Sequence, residues 1–150
     1  MRFFPSLSSK EDTNTAIDAQ IQKFTERGWG LWAVELLKTN EFIGFIGLSV
    51  PKVDLPFSPC VEIAWRLKRS AWGNGYATEA AKAIVKYAFE TEKIHRLIAT
   101  CQPENNASVR VCEKLAMRLE GTFRKCIHYK DDIWWDEQFY SLLDEDYFEE

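Results

Sequence analysis

A chain of 150 residues, 46% hydrophobic and 28% charged, is long enough for one domain with a real core, and its six Trp, five Tyr and ten Phe call for a filled aromatic interior or a lined cleft. The net charge of −4 and pI near 5.3 argue against a nucleic-acid binder, which needs a basic face, and are compatible with a cationic partner such as an amine. No apolar run approaches the ~20 residues of a bilayer span and no signal peptide is seen, so a cytoplasmic protein without a membrane partner is expected.

No repeat, linker or low-complexity segment divides residues 1–150, which read as a single domain. Ser8 and Glu11 are spaced for a capping box, and Ile17, Ile21 and Phe24 then share a helical face until Gly28 stops the run. In GLWAVELLKTNEFIGFIGLSV two β-rich stretches flank Thr39-Asn40, a hairpin; PKVDLPFSP, with three prolines in nine residues, is a surface loop. VEIAWRLK alternates, Val61, Ile63, Trp65 and Leu67 facing one way and Glu62, Ala64, Arg66 and Lys68 the other. A turn containing Gly73 and Gly75 leads into a helix over Ala77 to Glu92, whose stripe of Ala77, Ala80, Ala81, Ile84 and Ala88 should lie close to a sheet. HRLIATC reads as a buried strand and NNASVRVCEKLA as a helix opened by an Asn cap. LEGTFRKCIHY and IWWDEQFYSLL are two long strands joined around Lys130-Asp131-Asp132, and DEDYFEE a solvated tail. The order gives an α/β mixed sheet, mainly antiparallel, with one central parallel crossover.

The glycine turn is either a tight strand-to-helix connection or a cradle for phosphate, since bare amides at a helix start suit an anion. A Walker A loop fails because Gly75-Tyr76-Ala77 stands where Gly-Lys-Ser/Thr is required, and a dinucleotide fingerprint fails for want of its third glycine. Cys60, Cys101, Cys112 and Cys126 have no CxxC or metal-type spacing and read as free thiols, so no metal is expected. His95 and His128 are isolated and read as structural; Trp29, Trp32, Trp134 and Trp135 read as core, with an acceptor cleft the other use open to them.

WGNGYA, Trp72 to Ala77, resembles the pyrophosphate loop of the GNAT acetyltransferases, and WGNGYATEA is similar to the wording of their ribosomal-protein N-acetyltransferase branch. PENNASVRVCEKLAM resembles that branch's following helix, with Ala116-Met117 in place of its usual Gly-Phe, and WDEQFYSLL, with Asp136 and Tyr140, its closing strand. The resemblance implies the GNAT fold with helices on both faces of the sheet, and direct transfer of an acetyl group from acetyl-CoA to an amine in a ternary complex. It implies that Trp72, Gly73, Asn74, Gly75, Tyr76 and Ala77 hold the cofactor, with Lys68 and Arg69 adding positive charge, the Leu67 backbone facing the thioester and Asn105 helping to seat the ligand. Glu62 is the candidate base. Cys112 falls where many members carry the tyrosine that protonates the leaving thiolate; Ser108, one turn earlier on the same helix face, is the alternative donor, with Cys112 then packing as a small hydrophobe. MRFFP resembles sequence that in the family follows a first strand and helix, so the domain reads as shortened at its amino terminus, with a sheet edge for a second copy to cover. Two functions follow: an N-acetyltransferase acting on a protein N-terminal α-amine or a small-molecule amine, or a catalytically impaired acyl-CoA-binding or regulatory module.

Overall fold

The structure, a computed structural model, describes residues 8–129 and 131–149; the Met1–Pro5 stretch and the Lys130 corner singled out above lie outside them. Helix α1, Lys10–Arg27, opens on a capping box of Ser9 and Asp12, in which the Asp12 N–H donates to Ser9 Oγ at 3.0 Å and the Ser9 N–H to Asp12 Oδ2 at 3.1 Å. This is one residue later than Ser8 and Glu11. Both pairs have the same i, i+3 chemistry, so sequence alone does not choose the register. Gly28 closes the helix in the left-handed conformation at φ 81°.

Strands β1 (Leu31–Glu35), β2 (Phe42–Ser49) and β3 (Val61–Leu67) form an antiparallel meander; β4 (Arg96–Cys101), β5 (Arg118–His128) and β6 (Trp134–Leu143) complete a six-stranded sheet in the order β1-β2-β3-β4-β6-β5. Only the central β3–β4 pair is parallel, which is the mainly antiparallel sheet with one crossover that the element order predicts. The crossover helix α2, Tyr76–Lys86, ends in a π-helical turn over Tyr87–Thr91. That extra residue per turn carries Tyr87 edge-on to Trp32 and brings Phe89 into the core. Ala81 and Ala88 are wholly buried, so α2 lies as close to the sheet as its small side chains permit.

One face of the sheet, through Ile46, Leu48, Ile63, Leu97, Ala99, Tyr140 and Leu142, packs on α2 and on α3, Asn106–Lys114. Burying each such large apolar side chain contributes about 1.5–3 kcal/mol. Phe24 of α1 meets Trp32 on this same face. The C-terminal residues are not simply solvated: Asp144–Glu149 form helix α4, whose Tyr147 stacks on Phe89 at 5.1 Å and donates its hydroxyl to Glu90. Phe24, the α2 and α3 side chains and Tyr147 all meet the core on this face.

Candidate active site

The parallel pair β3–β4 is joined only at Val61 opposite Leu97 and Glu62 opposite Ile98. Beyond Glu62, β3 stays paired with β2 as far as Leu67 and β4 with β6 as far as Cys101, so the sheet opens into a wedge at the carboxyl ends of its two parallel strands. This is where α/β sheets bind ligands. The Lys68 N–H donates to Ile43 O at 2.8 Å, on the β2 side. Alternation along the strand then turns the peptide groups of Trp65 and Leu67 toward the wedge. The Leu67 carbonyl accepts from the Trp72 indole N–H at 2.9 Å, and the Leu67 N–H is left aimed into the gap.

The chain leaves β3 through a single 3-10 turn, Arg69–Ala71, and reaches α2 by way of Gly73 and Gly75, at φ 78° and 77°. Two left-handed residues one apart are cheap only for glycine. Between them the Asn74 side-chain amide pins the turn, donating to the carbonyls of Ala71 and Trp72, each at 3.1 Å. The first helical bond of α2 runs from the Glu79 N–H to Gly75 O, so the N–H groups of Tyr76, Ala77 and Thr78 have no place in the helix ladder. With those of residues 73–75 they find no hydrogen-bond partner among the described residues. A Cβ built at Gly73 or Gly75 would meet nothing within 4 Å, so the space above the loop is open. Converging donors, open space and the positive end of α2 fit a diphosphate. Arg69 is exposed beside them, whereas Lys68 is engaged by Glu41 across the strand, so Arg69 is the more available cation of the expected pair.

Facing the loop across the wedge, α3 begins at Asn105, whose Oδ1 accepts the Ser108 N–H at 3.3 Å. The Ser108 hydroxyl in turn accepts the Trp65 indole N–H at 3.3 Å, which ties the first turn of α3 to β3 and leaves the Ser108 O–H able to donate. Cys112, one turn on, takes the second of the two roles the sequence left open to it. It is 0% exposed, and its thiol's hydrogen bond with that of Cys101, with burial adding to it, pushes its ionisation up. It packs as a small hydrophobe and does not face the wedge.

Glu62 lies on the other face of β3, half-buried, where its Oε1 accepts a long 3.5 Å hydrogen bond from Thr100 Oγ1. Burial is the larger cause that holds its carboxyl above the usual range, the charge of Glu137 adds to this, and the Thr100 hydroxyl pulls the other way. Glu137 is itself raised by burial, again with Thr100 opposing. A carboxyl raised in this way keeps its proton to higher pH than an exposed glutamate and, once ionised, can act as a base.

Residues 1–118 match the family model of the acetyltransferase (GNAT) domain. The chain belongs to the GNAT acetyltransferase family. It is 50% identical over 86 residues to YnaD of Bacillus subtilis (strain 168), an uncharacterized N-acetyltransferase, a match covering 57% of this chain and 50% of YnaD, so the shared region is half of that relative's length. The ribosomal-protein-serine acetyltransferase of Escherichia coli (strain K12) is 23% identical over 137 residues, covering 91% of this chain and 73% of its own. The crystal structure of a GNAT-family acetyltransferase from Bacillus anthracis superposes with a TM-score of 0.80 at 38% identity, over 97% of this chain and 81% of that one.

Against this GNAT frame the structure adds two residues that the sequence reading gave no role there, Trp65 on Ser108 and Glu137 beside Glu62, and gives Trp72 of the expected loop a partner in the Leu67 carbonyl. Alternation already put Trp65 and Glu62 on opposite faces of β3. Nothing local announces Glu137, because it reaches Glu62 only through the pairing of β4 with β6. Asp136, its neighbour, serves the β5–β6 hairpin instead, accepting the Lys125 N–H at 2.8 Å, and Tyr140 is buried with its hydroxyl on Gln138. His95 pairs with Asp144 at 2.9 Å and His128 packs on Trp134, both away from the wedge.

Proposed function

We propose that this chain is an acetyl-CoA-dependent N-acetyltransferase that acetylates a primary amine by direct attack within a ternary complex. The observation that carries the reading is the wedge between β3 and β4 with a row of unpartnered amides at its mouth. Family membership and the named acetyltransferases among the relatives support it.

Acetyl-CoA, when bound, supplies the acetyl group activated as a thioester. The N–H groups of residues 73–78 hold its pyrophosphate, Arg69 adds charge at the rim, and the free side-chain amide of Asn105 helps to seat it. The Leu67 N–H, aimed into the gap, polarises the carbonyl where negative charge develops. Glu62 removes a proton from the incoming ammonium, directly or through water, and the Ser108 O–H donates to the departing sulfur. The Trp65 indole occupies a lone pair of the Ser108 oxygen and so orients that donor. The acceptor is a protein N-terminal α-amine or a small-molecule amine, and the carboxylate-bearing face around Glu62 suits either as an ammonium. A cytoplasmic location and a second copy across the β1 edge belong to the same reading.

Calorimetry with acetyl-CoA, followed by CoA release across a panel of N-terminal peptides, polyamines and amino sugars, tests this function. Binding and release with at least one amine are expected. Failure to bind acetyl-CoA overturns the reading. Tight binding without release over every amine identifies an acyl-CoA-binding module instead.

A further inference from the structure

The face of the sheet that carries Glu62 holds an aromatic group of its own beside the wedge. On β4 this face presents Arg96, Ile98 and Thr100, and on β6 it continues through Ser141 opposite Ile98 and Phe139 opposite Thr100. Glu62 stands opposite Ile98 and accepts from Thr100, so it belongs with them. Phe57 meets Phe139 edge-on at 6.4 Å, and Phe123 meets it at 5.2 Å. Phe57 arrives from the β2–β3 loop, in a turn where the Ser58 N–H donates to Leu55 O and the Leu55 N–H to Ser58 Oγ, each at 2.9 Å. Phe123 stays 59% exposed although it touches Phe139. A cavity of about 190 Å³ lies here, walled by Phe57, Ile98 and Phe139, with Arg96, Glu120 and Ser141 also lining it. An apolar cavity of about 150 Å³ holds a benzene, so this one has room for a phenyl ring or a branched aliphatic group.

We propose that this cavity receives the apolar group borne by the acceptor, so that the amine acetylated is one with an aromatic or branched aliphatic group close to its nitrogen, free or at the start of a peptide. This names the acceptor class of the acetyl-transfer reading and rests on it, though the cavity itself can be tested without turnover. Charge sets the direction in which such an amine lies. Glu62 is at the wedge end, whereas Arg96, two residues before Ile98, stands away from the wedge and repels an ammonium. Neighbouring strands are ~4.8 Å apart, so an ammonium held at Glu62 leaves its next carbons over Ile98 and in reach of Phe57 and Phe139. The Glu120 carboxylate already accepts the Ser141 hydroxyl, so two of the cavity's polar groups satisfy each other. A polyamine or an amino sugar would bring a second ammonium or several hydroxyls against apolar walls that offer them few partners.

The test compares CoA release with glycinamide, phenylalaninamide, 2-phenylethylamine, a peptide with an amino-terminal phenylalanine, putrescine and glucosamine. The value of kcat/KM should rise about 10–10²-fold from glycinamide to phenylalaninamide. Phe57→Ala should bring that ratio toward one and Phe57→Leu should restore much of it; a ratio is insensitive to how much of a variant is folded. The rates with 2-phenylethylamine and with the peptide tell a free amine from a protein terminus as the source of the same group. Independently of turnover, the Ile98 methyl resonances are followed with excess CoA present. Phenylalaninamide should move them and glycinamide should not. If no amine releases CoA, the acetyl-transfer reading fails and the Ile98 methyl groups alone decide the cavity. Equal rates for glycinamide and phenylalaninamide, a preference for putrescine or glucosamine, or a selectivity that survives Phe57→Ala overturns the proposal. So do Ile98 methyl groups that phenylalaninamide leaves still.

Discussion

Helices α2 and α3 open on the same wedge and meet the same shortage of hydrogen-bond partners in opposite ways. At α3, Asn105 bends its own side chain back and takes the Ser108 N–H, as Ser9 does for Asp12 in α1. At α2, Gly75 has no side chain to offer, and the amides from Gly73 to Thr78 face open space. A side-chain cap contributes about 0.5–2 kcal/mol, so a helix that forgoes one keeps its donors for something else. The capped start supports a hydroxyl; the bare start is the proposed receptor. The contrast also divides the labour proposed for the wedge, with affinity at α2 and chemistry at α3.

Substitutions can break that division. Gly75→Asp puts a carboxylate in the proposed pyrophosphate site, and like-charge juxtaposition of several kcal/mol should weaken acetyl-CoA binding by about 10²–10³-fold. Gly75→Ala is its control: the positive φ costs about 1–2 kcal/mol in stability, but affinity should fall far less than in Gly75→Asp. Calorimetry and thermal unfolding separate the two. On the other side of the wedge, Ser108→Ala should lower turnover by about 10²-fold, in line with the loss of a general acid, with acetyl-CoA affinity unchanged. A wild-type rate in that variant would remove Ser108 from the mechanism. Smaller still, Asn105→Ala should cost about 1 kcal/mol, or roughly 2–4 °C in melting temperature for a domain of this size. Asn105→Asp retains the cap, so it should melt near the parent while binding acetyl-CoA more weakly; equal binding would confine Asn105 to capping.

The pH dependence sharpens the comparison further. Because Glu62 sits above its ordinary range, activity should rise as pH climbs through that raised value and fall away on the acid side. The sign for stability is the reverse. A carboxyl raised on folding contributes stability that is full below its unfolded value and is lost as pH rises through the folded one, so Glu62→Gln should stabilise the protein at neutral pH and not in acid. Thermal melts across that range measure it.

The order of elements was legible in the sequence, because alternation over Val61 to Leu67 and the alanine stripe after Gly75 are local signals that the sheet then uses. The glycine loop was legible for the same reason: left-handed turns advertise themselves as glycine. Register and partner choice were not. Ser8 and Ser9 offer nearly the same capping chemistry, and the helix takes the later of the two. Helix α4 hid behind its acidic composition, since Tyr147 gains its place only once Phe89 is turned to meet it. Cys112 and Ser108 share a helix face by spacing, yet that face divides at the core boundary, the serine meeting Trp65 and the cysteine Cys101. Glu137 depends on three strands pairing correctly, and no stretch of sequence contains that information.

The central claim, that the uncapped start of α2 grips the cofactor's diphosphate, can be read amide by amide. In a nitrogen–proton correlation spectrum titrated with acetyl-CoA, the backbone resonances of Gly73, Gly75, Tyr76, Ala77 and Thr78 should move farthest, and a pantetheine thioester lacking the diphosphate should leave them in place. Saturable binding that leaves those five resonances still and shifts others would contradict the account.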